Sequence, residues 1–112
     1  MTRTGLTLFA LPLVTFCISL STPPAHAEQV DALSELGRIN GIALACQQPA
    51  LASRARNAVQ TGVAKTRENG ERFEAATNAA FLAQGQGKAC PDAATLAKRL
   101  EHAEHQLAQP SR

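Results

Sequence analysis

The sequence predicts an all-α fold, a small disulfide-linked bundle of three to four helices that follows a cleaved signal peptide. Alanine, the residue with the highest helix propensity, supplies 19 of the 85 residues after position 27. No segment alternates apolar and polar residues with the period of a β-strand. Two cysteines, Cys46 and Cys90, lie in a chain whose first segment addresses it to an oxidising compartment.

Residues 1–27 have the layout of a secretory signal peptide. Arg3 supplies the positive charge, and residues 6–20 form a mostly apolar run. Ala25-His26-Ala27 provides the small-x-small pattern that a signal peptidase cleaves. The apolar run of about fifteen residues is shorter than the roughly twenty that span a bilayer. We therefore expect cleavage after Ala27.

Cleavage leaves a mature domain of residues 28–112 in the periplasm or outside the cell, without membrane association. Two alternatives are disfavoured by particular residues. An uncleaved membrane anchor conflicts with the helix-breaking pair Pro23-Pro24, and lipid attachment at Cys17 conflicts with the bulky Phe16 beside it.

Charge and aromatic content argue against a nucleic-acid partner. The formal net charge is +2, and removal of Arg3 lowers it to +1. Trp and Tyr are absent and only four Phe occur, so the usual aromatic platforms for stacking bases are missing. We expect no nucleic-acid binding.

Apolar side chains that recur every three or four residues predict four helices, at about residues 29–47, 49–68, 71–84 and 92–108. Pro49 suits the first position of the second helix, and Asp92 is a natural N-cap for the last. The apolar stripe of the first helix comprises Val30, Leu33, Leu36, Ile39, Ile42 or Ala43, and Cys46. The next two stripes comprise Leu51, Ala55, Ala58 or Val59, and Val63, and then Phe73, Ala76 or Thr77, and Ala80 or Phe81. The stripe of the last helix comprises Leu96, Leu100, Ala103 and Leu107.

Gly37 and Gly41 lie four residues apart within the first helix. Each costs up to ~1 kcal/mol of helix propensity relative to alanine. We expect this cost to be offset by the close approach of another helix at that point. A site where the backbone itself binds a ligand is the alternative.

The two cysteines predict where the middle of the chain turns. A single straight helix over residues 49–84 would be on the order of 50 Å long, whereas the connector before Cys90 reaches back about 20 Å. The sulfurs of Cys46 and Cys90 can meet only if this segment forms a hairpin. Asn69-Gly70 is the favoured break because both residues tolerate the left-handed conformation that ends helices, and Gly62 is the alternative.

A structural disulfide between Cys46 and Cys90 is the expected state of the two thiols, ahead of an intermolecular bridge or a metal-binding or catalytic thiol. Closing this loop adds about 4 kcal/mol of stability in the chain-entropy treatment. In size, predicted export and paired cysteines the chain is similar to small periplasmic helical proteins, including acid-stress chaperones and toxin-neutralising immunity proteins. No residue role follows from that similarity.

Residues 101–105, Glu-His-Ala-Glu-His, form the one local cluster of metal-ligand residue types. His102 and His105 are three residues apart on a predicted helix, so both can reach one ion, with Glu101 or Glu104 as a third ligand. The alternative is a solvated face near a helix C-terminus, where histidine complements the helix dipole. No other cofactor is expected.

The residues predict a protein without enzymatic activity and therefore without catalytic residues. A hydrolase needs a nucleophile held by a positioned base, and the serines and histidines here form no such arrangement. Charged residues between 65 and 74 are expected to form solvated pairs such as Arg67 with Glu71. We therefore expect a protein that binds a protein partner or forms a homo-oligomer in the cell envelope. Periplasmic metal binding by His102 and His105 is the alternative.

Overall fold

The structure is a computed structural model that describes residues 25–108 and the isolated residue Gly5. The predicted signal peptide lies outside the described residues, except for Gly5 and for residues 25–27 in the first turn of a helix. The described chain forms four α-helices and no strand: α1 (Ala25–Ala45), α2 (Pro49–Gly62), α3 (Arg67–Gly85) and α4 (Ala93–Leu107). This confirms the predicted all-α fold. None of these four helices combines the length and the hydropathy that a membrane-spanning helix requires.

α1 is the central element of the bundle. It packs against α2, α3 and α4, and α2 and α4 also touch each other. Within the described residues α3 packs against α1 alone. The core therefore lies between α1, α2 and α4, and the predicted stripe of α4 is buried throughout. The core residues are Ala32, Leu36, Ile39, Ala43, Ala52, Ala55, Leu96, Leu100, Ala103 and Leu107.

The two glycines of α1 lie where α3 crosses it. A Cβ atom at Gly37 would lie 2.7 Å from the Cβ of Ala76 and from the carbonyl oxygen of Phe73. A Cβ atom at Gly41 would overlap the carbonyl oxygen of Thr77. This confirms the prediction that these glycines admit another helix. The later glycine of α1 meets the later residues of α3, which shows that the two helices run parallel.

A buried polar side chain of α1 joins it to α2 and α3. Asn40 is 4% exposed, and its Nδ2 donates a hydrogen bond to the Oγ1 of Thr77 at 3.2 Å. The Thr77 hydroxyl donates in turn to the carbonyl oxygen of Gly37 at 3.1 Å. From α2, Nη1 of Arg56 donates to Oδ1 of Asn40 at 3.4 Å. Buried amides without partners are costly, so this network favours one register of α3 on α1.

The Cys46–Cys90 disulfide links the end of α1 to the segment before α4, with the two Cα atoms 5.8 Å apart. The predicted crosslink is thus formed. α1 ends at Ala45, before the predicted boundary at residue 47, because the chain turns sharply there and Gln47 has a φ of 56°. The helix begins at Ala25, earlier than the predicted residue 29.

The break in the middle segment differs from the favoured prediction at Asn69-Gly70. α2 ends at Gly62, the alternative position, and Asn69 lies in the first turn of α3. The reason is an N-cap, since the Oγ1 of Thr66 accepts the backbone N–H of Asn69 at 3.2 Å. The side-chain amide of Asn69 also donates to the carbonyl of Ala64 at 2.9 Å. Asn69 therefore helps to begin a helix and does not end one.

The expected starts of α2 and α4 agree with the structure. Pro49 is the first residue of α2. Asp92 caps α4, accepting the backbone N–H of Thr95 at 2.7 Å on its carboxylate. α4 ends at Leu107, one residue before the predicted boundary at residue 108.

Candidate functional site

Three large apolar side chains are exposed among the described residues, and we call them the apolar patch: Leu44, Phe81 and Leu82. They are 43%, 46% and 65% exposed, respectively. The backbone nitrogen of Phe81 would lie 2.9 Å from a Cβ on Gly41, and Leu44 follows Gly41 by about one helical turn. Leu44 and Phe81 therefore border the α1–α3 crossing towards the disulfide end of the bundle, and Leu82 lies at the same end of α3.

The geometry of α3 explains why the patch is exposed. Successive residues of an α-helix are about 100° apart around the axis. Ala80 faces α1, because a Cβ on Gly41 would lie 2.9 Å from its own Cβ. Leu82 is two residues further and so projects about 200° away from that contact. Since α3 packs on α1 alone within the described chain, no other described helix covers Leu82.

A second surface, which we call the cationic groove, runs between α3 and α4 with α1 as its floor. Its cavity volume is about 540 Å³. Four basic residues from three helices and the connector line it: Arg38, Arg72, Lys88 and Arg99. The apolar part of the lining is made by Ile42 and the alanines Ala75, Ala76, Ala79, Ala80 and Ala83.

The cations of this groove exceed the carboxylates that face them. Glu35 accepts from both Arg99, with Nη2 at 2.6 Å, and Arg38, with Nη1 at 3.0 Å. The Nη2 of Arg72 reaches Glu68 at 3.4 Å, while its buried Nε has no hydrogen-bond acceptor. Lys88 forms no ion pair within the described residues. The groove therefore carries a local excess of positive charge.

The predicted solvated ion pairs of α3 are present. Arg67 Nε lies 2.8 Å from Glu71 Oε1, and both side chains are largely exposed. A further pair of the same i, i+4 spacing, Glu68 with Arg72, borders the groove. Exposed pairs of this kind contribute a few tenths of a kcal/mol each, so their main effect is on the local charge.

A third surface lies between α2 and α4, around an ion pair that the sequence did not predict. Arg54 donates to Glu104 through Nε at 2.7 Å and through Nη2 at 3.0 Å. This side-chain hydrogen bonding with the Glu104 carboxylate raises the already high pKa of Arg54, so the guanidinium stays charged. The pair borders a cavity of about 360 Å³ that also touches Thr61 and Leu107.

His102 and His105 lie exposed on α4, as the sequence predicted. The Nε2 of His105 is 3.9 Å from the Oε1 of Glu101, whereas Glu104 is engaged by Arg54. Within the described residues, no group of three or more His, Cys, Asp or Glu side chains is arranged to hold a metal ion. Metal binding by His102 and His105 stays a prediction.

Comparisons of this chain with protein-family models, with curated proteins and with solved structures find no match. A functional proposal therefore depends on the surfaces of the bundle. The apolar patch and the cationic groove both involve α3, the helix with the fewest packed neighbours.

Proposed function

We propose that this chain is an exported, non-enzymatic helical protein that acts in the cell envelope by binding a protein partner or by forming a homo-oligomer. The observation that carries the proposal is the apolar patch. Exposed apolar side chains that lie together, and not scattered singly, are typical of interaction sites. Leu44, Phe81 and Leu82 all lie at the same end of the two packed helices α1 and α3.

The patch is large relative to the apolar content of the bundle. The largest fully buried side chains of the described chain are only five in number: Leu33, Leu36, Ile39, Leu96 and Leu100. Full burial of a leucine or phenylalanine contributes about 1.5–3 kcal/mol, so covering the exposed fractions of the patch would contribute on the order of 3 kcal/mol. A partner that covers the patch would therefore add substantially to the stability of a small protein.

Export to the periplasm or beyond the cell is part of this proposal. Its support is the signal-peptide layout of residues 1–27 together with the Cys46–Cys90 disulfide. Disulfides form and persist in oxidising compartments and are rare in reducing ones.

Size-exclusion chromatography with light scattering tests the homo-oligomer. A patch-mediated oligomer should dissociate when Leu82→Glu places a charge at the most exposed position of the patch. Gln60→Glu is the matched control because it adds the same charge at an exposed position of α2, outside the patch. An oligomer that survives Leu82→Glu unchanged would contradict a role for the patch. A monomeric wild type would eliminate the homo-oligomer and leave a different protein as the partner.

A further inference from the structure

We infer that the cationic groove binds an acidic amphipathic helix that belongs to the protein partner. The inference depends on the proposed function, because it assumes that the chain binds another protein. It adds the chemistry of the bound segment: an apolar face of small contact area, flanked by several carboxylates.

The shape of the groove suits a helix. α3 and α4 both pack on α1 but share no interface with each other within the described residues, so an open channel separates them. The wall that α3 contributes consists of alanine methyl groups, with Ala75, Ala79 and Ala83 at successive turns. Small side chains allow a docking helix to approach closely, and a helix bound in a groove inserts residues at such i, i+4 spacings.

The distribution of charge favours a segment with several carboxylates over a ligand with one. Arg72 lies towards one end of the α3 wall, and Lys88 follows the other end. Along the helix, residues 72 and 84 are about 18 Å apart at 1.5 Å per residue. A single aliphatic carboxylate can reach only one end of this length. A helix with glutamates or aspartates on both flanks can reach the cations along its whole length.

Unused hydrogen-bond donors remain in the groove for such carboxylates. The side chain of Arg72 is 36% exposed, and its one ion pair, from Nη2 to Glu68, is long at 3.4 Å. The side chain of Lys88 forms no ion pair among the described residues, although its backbone carbonyl accepts from Gln84 at 2.9 Å. Arg38 and Arg99 share the single carboxylate of Glu35. An incoming acidic segment would therefore pair with donors that the chain itself leaves partly unsatisfied.

The test is a titration of the disulfide-bonded protein with a synthetic helical peptide, followed by NMR of the backbone amide groups and the alanine methyl groups. The probe is an amidated alanine–leucine peptide with glutamates on both flanks, and its comparison peptide carries lysines at the same positions. Only the glutamate peptide should bind, with shifts at Ala75, Ala79 and Ala83. Raising the ionic strength from about 0.1 M to about 1 M shortens the Debye length from about 10 Å to about 3 Å, so the affinity should fall several-fold.

Charge reversal identifies the groove. Lys88→Glu combined with Arg72→Glu should weaken binding by roughly tenfold or more, because each reversal replaces an attraction with a repulsion. Lys88→Glu alone, which breaks no ion pair of the described chain, should weaken it several-fold even if the double variant fails to fold. Arg67→Glu is the control, since it reverses an exposed charge of α3 outside the groove and should leave the affinity unchanged within about twofold.

Three results would overturn the inference. The first is no NMR shift at about 1 mM glutamate peptide, and the second is equal affinity of the peptide for Lys88→Glu and for wild type. The third is that dodecanoate, an aliphatic ligand with one carboxylate, saturates the groove while the peptide does not bind. Shifts confined to Leu44, Phe81 and Leu82 would overturn the groove as the site but still support partner binding through the patch. If the peptide causes no shift, and the protein neither oligomerises nor can be cross-linked to a partner from the patch, both the inference and the proposed function are contradicted.

Discussion

Replacing Gly41 with alanine should loosen α3 from α1 and destabilise the whole bundle. The new Cβ would overlap the carbonyl oxygen of Thr77 and lie 2.9 Å from both the Cβ of Ala80 and the backbone nitrogen of Phe81. Two of these three atoms belong to the α3 backbone, which cannot move aside as a flexible side chain can. The substitution therefore requires α3 to shift as a unit.

The expected magnitude follows from three contributions. Alanine gains up to ~1 kcal/mol of helix propensity over glycine. Overpacking against backbone atoms costs about 1–3 kcal/mol. A shift of α3 also strains the bond from Asn40 to Thr77, and a hydrogen bond of this kind contributes about 1 kcal/mol. The net loss of unfolding free energy is about 1–3 kcal/mol, or roughly 5–20 °C in Tm for a domain of this size.

Urea unfolding followed by circular dichroism measures this loss, and Gly70→Ala is the matched control. Gly70 also lies inside a helix, but a Cβ there meets no atom within 4 Å. Gly70→Ala should therefore stabilise the protein by up to ~1 kcal/mol. A Gly41→Ala variant that is as stable as Gly70→Ala would refute the close packing of α3 on α1.

Three further predictions concern the crosslink, a helix cap and the histidines. Cys46→Ser should lower the unfolding free energy by about 4 kcal/mol in the chain-entropy treatment, and an unchanged melt would show that the bond to Cys90 contributes nothing. Hydrogen bonding from the backbone of α4 lowers the pKa of Asp92 below its usual range. The stability that the ionised Asp92 carboxylate adds as a cap is therefore fully present above its unfolded pKa near 3.9 and is lost as pH falls through the lower folded pKa. The difference in Tm between wild type and Asp92→Asn should therefore shrink in acid. The metal hypothesis predicts weak calorimetric binding of Zn²⁺ or Cu²⁺ that is lost in His102→Ala and in His105→Ala, and equal heats for the wild type and these variants would contradict it.

Local signals in the sequence were sufficient for most of the fold. Pro49 and Asp92 begin their helices because a proline at the first turn and a carboxylate at the N-cap act on adjacent backbone groups alone. The requirement that Cys46 meet Cys90 correctly demanded a hairpin in the middle segment. The predicted position of this break at Asn69-Gly70 is wrong because the capping hydroxyl of Thr66, three residues earlier, makes Asn69 part of a helix start.

The surfaces were less predictable than the helices. Gly37 and Gly41 indicated that some helix approaches α1, but the helical period alone does not say which one. Phe81 was placed on a predicted apolar stripe as an alternative to Ala80, and only the packing of α3 on a single neighbour shows which of the two is covered. The cationic groove combines residues from α1, α3, α4 and a connector, so no local sequence pattern could reveal it.

Site-specific photo-cross-linking from position 82 is the most direct test of the central claim, that the patch around Leu82 contacts a partner. A photoreactive residue at position 82 is compared with one at position 60, an exposed site of α2, in an envelope extract of the source cells. We expect a discrete cross-linked species, either a dimer of this chain or a complex with one other protein, from position 82 and not from position 60. Only uncross-linked monomer from position 82, or the same products from both positions, would contradict it.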